Sequence, residues 1–164
     1  MAPSDATLSN CRGAAPRIYA MIVAINNYPT APLRGCVADG NAMVDFVRTK
    51  LHVPESQIAT LFDEAASREA ILSTFRKHFT ENDAVAKGDG IVFYYAGHGT
   101  QEYVTGWDGK MVDCICPQDM NWNTVRGIPS TTLNLLFREL ASVKGNNITV
   151  IFDCSHSGQQ KRRG

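Results

Sequence analysis

Four apolar runs constrain this chain more than any other feature of its sequence. They are "RIYAMIVAINN" (17–27), "QIATLF" (57–62), "GIVFYYAGHG" (90–99) and "NITVIFD" (147–153). The first and third are near-continuous and rich in β-branched and aromatic residues, the pattern of strands buried on both faces. Helical spacing fills the intervals between the runs. Met43, Phe46, Val47 and Leu51 recur on one face from Gly35 onward. Ser67 is placed to cap a helix whose inner face is Ile71, Leu72, Phe75 and Phe79. Leu133, Leu136, Phe137 and Leu140 make a third stripe after Ser130 or Thr131 as cap. Strand and helix alternate to the end, which predicts an α/β fold: a mostly parallel sheet with helices on both faces. Residues 101–129, with Gly106, Gly109 and Pro117 as turn residues, read as a hairpin or long loop.

In open α/β sheets, functional groups collect beyond the carboxyl ends of the strands. Three reactive stretches fall there: "INNYP" after the first run, "YYAGHGTQ" after the third, and "IFDCSHSG" after the fourth. His98 and the cluster Asp153-Cys154-Ser155-His156 are therefore expected on one rim. Imidazole beside thiol or hydroxyl is the base-plus-nucleophile arrangement of covalent catalysis.

The rest of the sequence narrows the class. The 164 residues suit one domain, with residues 1–16 read as a disordered lead-in and 17–164 as the folded unit. Sixteen basic residues balance sixteen acidic ones, so no overall field selects nucleic acid or an anionic membrane. No run is long and apolar enough for a membrane span. Five cysteines, at 11, 36, 114, 116 and 154, form neither a zinc spacing nor an evident disulfide framework. A reducing, cytoplasmic setting and no cofactor are the corresponding expectations.

The rim motifs resemble the metacaspases, cysteine peptidases of the caspase clan. A glycine-flanked histidine after a hydrophobic strand, an acid–x–nucleophile–His–Ser–Gly motif some fifty residues later, and "LRGCVADGNAM" (33–43) occur in the family's order. The resemblance runs from about residue 17 to the end and covers the family's large-subunit half. It implies a caspase-like three-layer sandwich, an endopeptidase specific for Arg or Lys with a part in programmed cell death, and His98 as general base. The nucleophile's position is Ser155, where the family carries cysteine. A hydroxyl is far less acidic than a thiol and needs a strictly held base, so the chain as written is expected to be inactive. No acid is placed by sequence to orient His98. Two origins account equally for Ser155: a substituted cysteine, of the kind that stops self-cleavage, or a native serine in a pseudo-peptidase that acts as a binding or scaffolding module. A serine hydrolase is a third, weaker reading. Cys154 is expected to face away from His98, because neighbours on an extended chain point to opposite sides.

The resemblance further implies a pocket for a basic side chain formed by Asp39 and Asp153, with Cys36 beside it. Two carboxylates suit a guanidinium, although Asp39 also fits a helix first turn and Cys36 fits a buried structural thiol at least as well. Many members bind calcium. Asp113 matches one family ligand, but "GIPSTT" puts Ser130 and Thr131 where the family carries acids, and "KRR" replaces another. Calcium wants six to eight oxygens, so weak or absent binding is expected, with no metal site assigned. Lys161, Arg162 and Arg163 match the family's processing region, and a small subunit, if encoded downstream, is an expected partner beside the polypeptide substrate.

Overall fold

The computed structural model describes residues 17–103 and 109–154. Gly106, Ser155 and His156, the lead-in, and the basic residues 161–163 lie outside the described residues. Among the described residues, seven strands and three α-helices follow in the order β1 (Ile18–Ala24), α1 (Cys36–Thr49), β2 (Ile58–Phe62), α2 (Arg68–Phe75), β3 (Gly90–Ala96), β4 (Gly99–Tyr103), β5 (Met111–Ile115), β6 (Ile128–Pro129), α3 (Ser130–Lys144) and β7 (Ile148–Asp153). The four predicted runs form one wholly parallel sheet in the order β2-β1-β3-β7.

Alternation along the central strands divides the core between two faces. Tyr19, Met21 and Val23 of β1, and Ile25 just beyond it, join Phe93 and Tyr95 of β3 under α2 and α3, with Ile71, Phe75, Leu133, Leu136 and Leu140. Ala20, Ile22 and Ala24 join Tyr94 and Ala96 under α1 and Val47. The result is the expected three-layer sandwich. Phe75 meets Phe79 and Phe93 edge-on, at ring separations of 5.3 and 6.0 Å. Each such buried ring contributes about 1.5–3 kcal/mol of hydrophobic stabilisation.

Ser67 caps α2 as predicted, its hydroxyl accepting from Ala70 N at 3.1 Å. α3 departs from expectation: it begins at Ser130 behind Pro129, and no hydroxyl cap bond forms. The third strand ends just before the glycine-flanked histidine, as read. It stops at Ala96, turns through Gly97 and His98, and restarts as β4 in a separate antiparallel sheet of order β4-β5-β6. The region read as a hairpin or loop is thus a three-stranded meander, held by the buried Glu102, which accepts from Arg126 Nε and Gly127 N. β7 differs from the central strands. It pairs with β3 on one side, and Val150, Ile151 and Phe152 are exposed to 36–46%, because an edge strand is covered from fewer directions.

Candidate active site

Register brings the rim together before any side chain is considered. Ala24 pairs with Ala96, and Ala96 with Asp153, so β1, β3 and β7 end level with one another. Gly97 N then donates to Asp153 O at 3.4 Å across the strand ends.

His98 is held from several sides. Its backbone N–H donates to the Tyr28 hydroxyl at 3.0 Å, and its carbonyl accepts from Cys116 N at 3.0 Å and from the Tyr95 hydroxyl at 2.7 Å. The Tyr28 ring lies 4.6 Å from the imidazole, tilted by 49°. The two phenol oxygens are 3.1 Å apart, and Tyr28 also donates to Cys116 O at 3.0 Å. Burial is the main cause that pushes both phenols above their ordinary pKa, so both stay neutral donors. A Cβ on Gly97 would lie 2.4 Å from one phenol oxygen and 2.6 Å from the other, so only glycine fits between them.

The imidazole itself is oriented by a backbone carbonyl. Nε2 of His98 sits 2.7 Å from Ala31 O. A carbonyl can only accept, so this contact assigns the proton to Nε2 and leaves Nδ1 as the basic nitrogen. Ala31 has φ 58°, a conformation disfavoured for alanine and maintained by the surrounding loop. Asp63 anchors that loop by accepting from Asn26 N at 2.7 Å and Asn27 N at 2.9 Å, and Leu33 N closes it onto Asn26 O at 2.8 Å.

The expected pocket residues gather on the α1 face. Cys36 opens α1, and Asp39 lies in its first turn, where the helix dipole also favours a carboxylate. The Cys36 thiol is raised by burial first and then by Asp39 and Asp153, which places all three within electrostatic reach. Asp153 accepts from the Tyr94 hydroxyl at 3.2 Å. Neither Tyr94 nor Tyr28 was singled out from sequence, although Tyr28 lies within the "INNYP" stretch assigned to the rim.

Ser155 lies outside the described residues. Cys154, just before it, is half-buried against the α2 and α3 cluster, on the opposite side of the sheet from the Tyr94–Asp153 contact. Its thiol is raised by burial, then by Asp153 and Asp113, which disfavours a thiolate. Asp113 is on β5 and accepts from Gln101 Nε2 at 2.8 Å. Among the described residues, no group of three or more His, Cys, Asp or Glu is arranged to hold a metal ion. A shallow cavity of about 540 Å³ lies elsewhere, between α2 and residues 119–125, and includes none of the predicted residues.

A family model described as "Metacaspase, peptidase C14 domain" matches residues 19–161, spanning the rim and both faces of the sheet. The chain belongs to the metacaspase family. It is 29% identical to Metacaspase-9 of Arabidopsis thaliana over 142 residues, covering 80% of this chain and 41% of that protein. It is 30% identical to Metacaspase-3 of Trypanosoma cruzi over 148 residues, covering 85% and 40%. This metacaspase chain thus spans about 40% of the length of the curated relatives it matches. A crystal structure of a protein from Geobacter sulfurreducens is similar to 88% of the metacaspase chain and 52% of its own, with a TM-score of 0.66 at 22% identity, which supports the caspase-like fold.

Proposed function

We propose that this chain carries the catalytic rim of an endopeptidase that cleaves polypeptides after Arg or Lys, with its nucleophile position filled by Ser155. The supporting observation is the level ending of β3 and β7, where Gly97, the neighbour of His98, bonds to Asp153 O, together with the electrostatic coupling of Cys36 to Asp39 and Asp153. In the active form a cysteine at 155 gives its proton to His98 Nδ1, and its sulfur bonds to the scissile carbonyl carbon. The imidazolium then protonates the departing amine, and water hydrolyses the thioester with His98 again as base. Asp39 and Asp153 hold the basic side chain, with Cys36 beside them.

With serine at 155 the same steps begin from a far weaker acid, and the rate falls by about 10,000-fold or more. Ser155→Cys, in this chain and in any longer form of it, tests the reading on an arginine-ended fluorogenic peptide. Cleavage by the cysteine form and not by the parent is expected. Failure of both, with the fold intact, favours the second reading, a binding or scaffolding module that uses the acid cluster. That reading is supported by Ser155 itself.

Ser130 and Thr131, where the family carries acids, favour weak or absent calcium binding, and micromolar affinity by isothermal titration would overturn this. The exposed apolar edge of β7 suits pairing with further strands of a small subunit. The unbridged Cys36, Cys114, Cys116 and Cys154 suit a reducing compartment such as the cytoplasm. No helix among the described residues is long and apolar enough to cross a membrane.

A further inference from the structure

Asp153 ends an exposed edge strand, a position from which a carboxylate would ordinarily rotate freely about its last torsion. It does not stand alone. Tyr94 of β3 pairs with Ile151, and Ala96 with Asp153, so Tyr94 and Asp153 share the α1 face as diagonal neighbours. Tyr94 is only 4% exposed, packed among Ala20, Ile22, Ala24 and Val47, and its hydroxyl reaches Asp153 Oδ2 at 3.2 Å. A phenol buried in an apolar cluster costs free energy unless its hydroxyl is satisfied, so this contact is strongly favoured.

We infer that Tyr94 is a positioning residue of the basic pocket: by donating to Oδ2 it sets the plane of the Asp153 carboxylate and thereby selects arginine over lysine. This rests on the reading of Asp39 and Asp153 as the pocket acids. The burial that raises the Tyr94 phenol, reinforced by Asp153, Asp39 and Cys36, keeps it a donor throughout the working pH range. The carboxylate retains its other lone pairs for a cation. A guanidinium is a planar fork, and its parallel bonds form only when the carboxylate plane is aligned with it. An ammonium is a point charge with freely turning donors and is indifferent to that plane. Loss of the phenol hydroxyl therefore harms arginine recognition selectively.

The test measures binding, which the Ser155 chain permits without turnover. Dissociation constants of peptide amides ending in Arg and in Lys are measured by titration calorimetry for the parent, Tyr94→Phe, Asp153→Asn and the double variant. Circular dichroism melts confirm that each is folded. Tyr94→Phe is expected to weaken the arginine peptide about tenfold and the lysine peptide less than about twofold. In the Asp153→Asn background it should add nothing, because Tyr94 acts through that carboxylate. Equal losses on both peptides, or losses that add in the double variant, would show that Tyr94 only supports the core and would overturn the inference. An unaffected Tyr94→Phe beside a weakened Asp153→Asn overturns it too, but leaves the pocket standing. A parent that binds neither peptide, or an Asp153→Asn variant that binds as the parent does, overturns the pocket reading and this inference together.

Discussion

Gly97→Ala tests whether the rim is as closely packed around His98 as the structure requires. The new methyl group would lie 2.4 Å from Tyr28 Oη, 2.6 Å from Tyr95 Oη and 3.0 Å from Tyr95 Cζ. Both phenols are buried, so neither can swing into solvent. The gap must open by about half an ångström before it reaches the shortest separations that real Cβ atoms show. That movement stretches the bonds from His98 N to Tyr28 and from Tyr95 to His98 O, now 3.0 and 2.7 Å. Overpacking costs about 1–3 kcal/mol and each of the two lost hydrogen bonds about 1 kcal/mol, a destabilisation of about 3–5 kcal/mol. For a chain of this size the thermal midpoint should fall by about 5–15 °C. Melting followed by circular dichroism reads this directly. Adding Tyr28→Phe removes the oxygen at 2.4 Å, so the double variant should be more stable than the sum of the two single losses predicts. A Gly97→Ala midpoint within about 2 °C of the parent, or strictly additive losses, would refute the packing argument.

Three further outcomes follow from the titrating groups. His78 is lowered from 6.5 by burial, with its Nε2 against Ala20 O and Gln57 O, so the unfolded chain binds its proton more readily. Its stabilising contribution is present above pH 6.5 and is lost as pH falls toward the folded value, so stability should drop between pH 7 and 5, and less steeply in His78→Gln. The thiols act at the other end. Burial pushes Cys114 up to about 11 and Cys116 up to about 12 from 9.0, so their contribution is complete below pH 9 and fades as pH rises through the folded values. A melting midpoint still rising above pH 10 would contradict this. The same shifts set alkylation order: in native protein at pH 8, iodoacetamide should modify the half-buried Cys36 and Cys154 well before Cys114 and Cys116, as read by mass spectrometry. Early modification of Cys116 would contradict its burial.

The parallel sheet, its layers and its rim were legible because they depend on periodicity, which is written along the chain. Alternation within 17–27 and 90–99 assigns Met21 and Phe93 to one face and Ile22 and Tyr94 to the other, and three helical stripes cover them. His98 and Asp153 stand at or just beyond the ends of β3 and β7, where open α/β sheets collect functional groups. The β4-β5-β6 meander was legible only as a hairpin or long loop, because its short strands carry buried charge: Glu102 at 6% exposure satisfies Arg126 and Gly127, partners that no local pattern announces. What orients His98 was equally hidden. A backbone carbonyl has no sequence signature, and Ala31 reaches Nε2 only because Asp63, distant in the chain, fastens the intervening loop. The same holds for Tyr94, one aromatic of a buried run until β7 docks in register and brings the Asp153 carboxylate within 3.2 Å of its hydroxyl. Sequence alone determined which chemical groups reach the rim. Only tertiary structure decided how each is aimed, because direction is imposed by partners far apart in the chain whose contacts exist only once the layers have packed.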